Sequence, residues 1–226
     1  MSESDPPSDP QGIRRWFPQD EDPTELRLRK HALADELRAL IGDVLYLDVE
    51  GADASALAEA EQRMAEARKA VAALPDVRGR RPHFGPGDGS LFERSPLSGR
   101  CNALAAPLSM RFEDDRTYAH ATYGEAYEGP PGSVHGGYVI AAFDDVLGVA
   151  QAASGTAGFT GTLTVRLVAR TPLHERIDYE AGVESRDGRK VVAWGRSTCR
   201  GELLAEASGI FIAPRSVEER PPSPEG

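Results

Sequence analysis

Residues 127–148 read YEGPPGSVHGGYVIAAFDDVLG, a Pro/Gly turn, a histidine and a glycine pair that open an almost wholly apolar helix. Nine residues after His135 that helix carries an acid, Asp144. An apolar helix interior is a costly place for a carboxylate, because a charge without partners loses several kcal/mol of hydration or is neutralised. The acid must therefore be exposed, paired or chemically employed. The Gly136–Gly137 start carries equal weight, since the first N–H groups of a helix have no intrahelical partner and lie at its positive end. One element thus combines an oxyanion site with a carboxylate.

Upstream of this helix lie two strand-like runs, 106–113 and 116–125, and downstream four more, at 158–169, 175–186, 189–200 and 203–213. Val165-Arg166-Leu167 alternates, and Asp187-Gly188 signals a hairpin between Glu184 and Val191. One long apolar helix, 136–154, with two strands before it and a run of antiparallel strands after it does not fit a doubly wound α/β fold. The pattern predicts an α+β domain in which a curved antiparallel sheet wraps a central helix. Further out, Asp22-Pro23-Thr24-Glu25 predicts a helix start with Asp22 as cap. The helix it opens puts Leu26, Leu33, Leu37, Leu40, Ile41 and Val44 on one face. A second helix after Asp53 carries a heptad-like seam of Leu57, Ala60, Met64, Ala67, Val71 and Leu74, and Pro75 ends it. This hairpin either packs its seam on itself and the main domain or offers a partner surface. The expected organisation is a disordered tail (1–22), the helical hairpin (23–75), a Pro/Gly/Arg connecting loop (76–100), the main domain (101–214) and a polar tail (215–226).

The 226 residues suffice for a real core, and 36 acidic against 26 basic residues give a net charge of −10. That balance argues against nucleic acid or an anionic membrane as partner. The two cysteines, Cys101 and Cys199, have no metal or disulfide-framework spacing, and the five histidines form no visible metal cluster. No 18-residue apolar run and no leader-like start occur, so the expectation is a soluble cytoplasmic protein. Ser133 lacks the Gly-x-Ser-x-Gly setting of a nucleophile elbow, and the glycines from Gly85 to Gly89 lack the strand–helix context of a dinucleotide turn.

Over residues 100 to 214 the chain resembles the hotdog-fold acyl-CoA thioesterases of the phenylacetate-catabolism (PaaI) type. Within them it is most similar to the mammalian thioesterase superfamily members four and five. The resemblance rests on Glu128-Gly-Pro-Pro-Gly132 before His135-Gly-Gly, the acid at plus nine, Cys101-Asn-Ala-Leu104 and the closing strand Ala205–Ile212. It implies the hotdog arrangement and hydrolysis of acyl-CoA to free acid and coenzyme A, with no metal or redox cofactor. In the roles it implies, the Gly136 N–H polarises the thioester carbonyl and Asp144 attacks or activates a water. His135 orients the thioester or supports the oxyanion end, and Thr160 holds the water or the carboxylate. Some hotdog thioesterases use an Asn six residues before the His; Gly129 stands there, as in the subgroup with the Glu-Gly-Pro-Pro-Gly turn.

Geometry adds a constraint of its own. Gly136 and Asp144 lie about 12 Å apart along a continuous helix, whereas a base must come within about 3 Å of the atom it serves or reach it through one water. One chain cannot bring both to the same carbonyl, so the expectation is a shared site in a homodimer, or in a dimer of dimers. Asp145 competes with Asp144 for the role of acid, but adjacent helical residues point about 100° apart, and the plus-nine spacing selects Asp144. For the acyl-CoA ligand, Arg189 and Lys190 are candidate phosphate contacts, with Arg166 and Arg170 on the preceding strand. Relatives often carry a basic pair and Pro before Thr171-Pro172-Leu173; Val168-Ala169-Arg170 stand here instead. Gly137, Tyr138, Phe143 and Phe159 are candidates to contact or shape the substrate pocket. The competing reading is a non-catalytic hotdog protein that binds acyl-CoA or an acyl carrier and acts through its helical hairpin. A dehydratase or hydratase fits less well, since it wants His and acid paired in one segment.

Overall fold

The computed structural model describes residues 23–79, 91–106, 108–155 and 157–214. The expected tails at 1–22 and 215–226, and the Gly85–Gly89 stretch, lie outside these residues, as does Asp22. Helices α1 (Glu25–Leu45) and α2 (Ala54–Ala72) lead into a short α3 (Leu91–Arg94). Strands β1 (Ser109–Glu113) and β2 (Arg116–Thr122), a 3-10 turn (Glu125–Tyr127) and α4 (Gly136–Ala153) follow. The chain closes with β3 (Phe159–Leu167), β4 (Arg176–Asp187), β5 (Lys190–Cys199) and β6 (Glu202–Ile212). All six strands form one antiparallel sheet in the order β1-β2-β4-β5-β6-β3, with α4 across its inner face. This is the hotdog arrangement.

Turn chemistry sets the strand registers. Asp114 and Asp115 both take positive φ between β1 and β2, and Arg200-Gly201 do the same between β5 and β6. These are the left-handed pairs that two-residue hairpins require, and Asp tolerates them better than most side chains. Gly188 (φ 53°) opens the β4–β5 hairpin that Asp187-Gly188 predicts.

The helix lies close because the sheet beneath it is built from small residues. Ala119, Ala181, Ala193, Ala205 and Ala207 are buried, and a Cβ placed on Gly195 would meet Leu147 Cδ1 at 2.7 Å and Phe143 Cδ1 at 3.2 Å. Into this trough α4 presses Val139, Ala142, Phe143, Val146, Leu147 and Ala150, all buried. Full burial of each larger side chain is worth about 1.5–3 kcal/mol. Phe143 meets Tyr179 edge to face, with ring centroids 5.5 Å apart, and the buried Tyr123 and Tyr179 hydroxyls bond each other at 2.7 Å. The outer face of the sheet is charged: Glu180 is held between Arg116 and Arg196, and Glu206 pairs with Arg166.

The N-terminal helices depart from expectation in how they face. The cap of α1 is Thr24, whose Oγ1 accepts from the Arg27 N–H at 3.3 Å. Helix α1 docks by its polar face. Arg38 donates to the carbonyls of Ala105, Gly99, Arg100 and Asn102, and Asp35 takes both guanidinium nitrogens of Arg100 at 2.6 and 2.7 Å. Leu26, Leu33, Leu37 and Val44 are exposed. Helix α2 is capped by Asp53 and has no buried residue; Met64, Val71 and Leu74 of its seam are exposed. Carbonyls concentrated at the loop 99–105 offer more acceptors to an arginine than an apolar stripe offers partners.

Gly195→Ala tests the trough. Restricting the unfolded chain favours Ala by about 0.4–1 kcal/mol, but overpacking a full core costs about 1–3 kcal/mol. The expected net outcome is a lower urea midpoint with unchanged slope.

Candidate functional site

Each site residue is placed by a separate structural device. The turn before α4 is tied down on both sides. Glu128 Oε1 accepts from the Gly132 N–H at 2.6 Å, the Gly129 N–H donates to the Ser133 carbonyl, and the His135 N–H donates to that of Tyr127 at 2.8 Å. Val134 N–H donates to the Thr171 carbonyl, which anchors the turn to the Thr171-Pro172 segment. His135 is then the N-cap: its Nδ1 accepts from the Gly137 N–H at 3.0 Å. An accepting Nδ1 holds the ring in the tautomer with its proton on Nε2, so the exposed imidazole offers a donor. The Gly136 N–H has no hydrogen-bond partner among the described residues. A Cβ on Gly136 would meet Leu167 Cδ1 of β3 at 3.2 Å, so the helix start is packed against the far end of that strand.

Eight residues along α4, the Asp144 Oδ1 accepts from Thr160 Oγ1 at 2.8 Å. The register explains how a strand residue reaches the helix. Leu163 and Val165 pair with Gly209 and Ala207 and face the core, so simple alternation would put Gly161 inward and Thr160 outward. A bulge between Thr160 and Thr162 shifts the count, and Thr160 pairs with the buried Phe211 instead. Bulges re-aim side chains in this way.

Asp145 points elsewhere. Its Oδ2 accepts from Ser98 Oγ at 2.5 Å and Ser95 Oγ at 3.2 Å. Burial pushes its carboxyl above the usual range, and the two serine hydroxyls only partly counter this. The two aspartates are therefore divided between a strand hydroxyl and a loop anchor.

The remaining candidates spread out. Phe143 is fully buried in the core against Tyr179, so its ring belongs to the packing under the site. Tyr138 is 37% exposed and stacks edge-on with Tyr127 at 4.9 Å; Phe159 is 76% exposed at the start of β3. Lys190 and Phe159 both pair with Ile212, which puts the β4–β5 hairpin two strand spacings, about 10 Å, from the strand that carries Thr160. Arg189 Nε donates to the Ala213 carbonyl at 2.8 Å, and the exposed Arg166 is paired with Glu206. Strand β3 ends the sheet, so its outer backbone edge has no strand partner among the described residues. Sequence reading missed the serine anchor of Asp145 and the Leu167 contact at Gly136. It also missed a second cluster, His31, Glu93 and Cys101, whose candidate ligand atoms lie within 4.8 Å of one another.

Among solved structures, a protein of the thioesterase superfamily matches 81% of this chain and 94% of its own length at 30% identity, with a TM-score of 0.71. The chain belongs to the thioesterase superfamily. Smaller overlaps, with TM-scores of 0.45, are found with the Escherichia coli PaaI protein of the phenylacetic acid degradation operon and with a Streptococcus mutans protein bound to acetyl CoA. The first is 14% identical over 48% of this chain and 80% of that one, the second 16% over 47% and 88%. No family model and no curated protein matches the sequence. No described helix is long and apolar enough to cross a membrane.

The division of labour between the aspartates is testable by stability against pH. Asp145→Asn keeps an oxygen acceptor for both serines and removes the buried charge. Because the folded-state pKa of Asp145 is raised, its contribution to stability is present below the ordinary carboxylate pKa and lost as pH rises through the raised one. Denaturant titrations should show the Asn variant gaining on wild type across that window and holding the gain at neutral pH. A difference that is flat with pH would refute the burial argument.

Proposed function

We propose that the chain is an acyl-CoA thioesterase that cleaves acyl-CoA to a free carboxylic acid and coenzyme A, with its site shared between two copies. The observation that carries this reading is the Asp144–Thr160 hydrogen bond at the sheet edge, with Asp144 on the same helix as a Gly136 N–H that has no partner among the described residues. Asp144 takes a proton from a water as the water oxygen attacks the thioester carbonyl carbon. Thr160 holds the carboxylate in register by its hydroxyl. The carbonyl oxygen becomes an oxyanion, stabilised by the Gly136 N–H of the partner subunit at the positive end of its helix. The Nε2–H of the His135 imidazole faces the same end and orients the thioester. Collapse of the tetrahedral species breaks the C–S bond, and the coenzyme A thiolate leaves with the proton that Asp144 took up. Arg189 and Lys190, on the hairpin two strands away from the site strand, supply cations for the coenzyme A phosphates, with Gly137 and Tyr138 flanking the oxyanion end and Phe159 lining the acyl path. Thioester hydrolysis by this route needs only water.

Free-thiol release from short-, medium- and long-chain and aromatic acyl-CoAs tests the chemistry. Asp144→Asn should lose about 10²–10⁴ in kcat, the worth of a positioned base. Acyl-CoA bound equally by wild type and variant, with turnover by neither, would replace the enzyme with a binding protein.

Sharing of the site has its own test. Gly136 is the first helical residue, where proline is tolerated, and the preceding residue His135 (φ −59°, ψ 130°) already has a pre-proline conformation. Gly136→Pro therefore deletes the oxyanion donor and keeps the helical backbone, with only the Leu167 side-chain end having to give way to the added Cβ, and about 10²–10³ in kcat should go with it. Co-refolding Asp144→Asn with Gly136→Pro chains makes mixed dimers with one intact site. Activity well above both parents is expected; a mixture no better than its parents would place the whole site within one chain.

A further inference from the structure

His31 on α1, Glu93 on α3 and Cys101 in the following turn form a cluster that the proposed chemistry does not use. It joins His31 to Glu93, 62 residues further on, and to Cys101, 8 residues beyond that. Both carboxylate oxygens of Glu93 approach His31 Nε2, at 3.0 and 3.2 Å, and Cys101 Sγ lies 2.6 Å from Oε2. Glu93 is only 3% exposed and the His31 side chain 15%. The Cys101 N–H donates to the Glu93 carbonyl at 3.0 Å, which fixes the thiol and the carboxylate on one short stretch of backbone.

We propose that His31, Glu93 and Cys101 form a divalent transition-metal site, best suited to zinc, that clips α1 to the hotdog domain. The assignment is independent of the thioesterase reading.

Three features support it. The donor set is one thiolate, one imidazole nitrogen and one carboxylate, the ligand types that hold Zn²⁺ and that discriminate against Mg²⁺ and Ca²⁺. The atoms are already gathered. With metal–ligand bonds of about 2.0–2.3 Å a tetrahedral ion spaces its ligands about 3.3–3.8 Å apart, so His31 and Glu93 need almost no adjustment and Cys101 a shift of about 1 Å. Sulfur is the larger atom, yet Sγ sits closer to the carboxylate than the usual N–H···O separation of about 2.7–3.2 Å, and a metal between them relieves that crowding. A fourth position remains for water or another ligand.

The location gives the site a consequence. Helix α1 is held to the domain by polar contacts at this loop, and the same loop, through Ser95 and Ser98, anchors Asp145 of the central helix. A metal here would stabilise the docking of α1 without touching the Asp144–Thr160 pair.

The full chain, stripped of metal and kept reduced and anaerobic, would be titrated with Co²⁺ and then with Zn²⁺. The expected result is one Co²⁺ per chain with a near-ultraviolet thiolate-to-cobalt band and intense visible bands of four-coordinate geometry, displaced by Zn²⁺. The band should vanish in Cys101→Ser, persist in Cys199→Ser, and require about 100-fold or more cobalt in His31→Gln, since even outer partners of a metal site are worth 10–100-fold. If the variants fold poorly, wild type still decides: Zn²⁺ should slow alkylation of Cys101 severalfold. Absence of the thiolate band, a band indifferent to Cys101→Ser, or alkylation unaltered by Zn²⁺ would each reduce the cluster to a hydrogen-bonded buttress and overturn the assignment.

Discussion

The close approach of α4 to the sheet governs the rest of the molecule. A helix held this near to a sheet can exist only where the strands beneath it carry glycine and alanine, and here Gly195 and its neighbours leave no room for a side chain. Once the apolar face of α4 is locked into that trough, its rotation is fixed. The polar residues on its flanks then have no freedom to choose their partners. Asp145 must meet the loop of Ser95 and Ser98, and Asp144 must meet whatever β3 offers. The geometry around Asp144 follows from packing rather than from local hydrogen bonding around the acid.

That dependence explains what the sequence disclosed. The apolar run at 136–154 and the strand-like runs on either side of it gave the element order and the α+β architecture, because those patterns are local and the core enforces them. Strand limits came within three residues, and Asp187-Gly188 marked its hairpin. The pairing of Asp144 with Thr160 was legible only through resemblance, because nothing local says that residue 160 faces inward. Gly161, a glycine inside a strand, was the available sign of the bulge that turns it.

Other features were invisible for a clear physical reason. Leucine spacing on α1 predicts an apolar docking face, yet the helix binds through Arg38, Asp35 and His31. Periodicity reports which face is apolar; it says nothing about free carbonyls on a distant loop, and four of them converge on one guanidinium. His31, Glu93 and Cys101 likewise have no common spacing, so their proximity is a property of tertiary structure alone. Phe143 was a plausible wall of the substrate path by its position beside Asp144, but the rotation of α4 commits it to the core.

The edge position of β3 limits how a second copy could complete the site. Within one chain β3 runs against the direction of α4, with Thr160 beside Asp144 at one end and Leu167 beside Gly136 at the other. Because the bulge at Gly161 takes one residue out of the count, Thr160 and Leu167 pair with Phe211 and Ala205, and a two-fold axis through an antiparallel β3–β3 ladder maps each end onto the other only if it passes at Thr164, which pairs with Ser208 midway between them. In that register Thr160 of one copy stands opposite Leu167 of the partner subunit, and the partner's helix start comes alongside Asp144. A slip by two residues keeps side chains on their faces but displaces the two ends by about 7 Å, beyond the reach of a hydrogen bond. The bulge at Gly161 pins Thr160 at its end of the strand, so a shared site fixes the register as tightly as the trough fixes the helix.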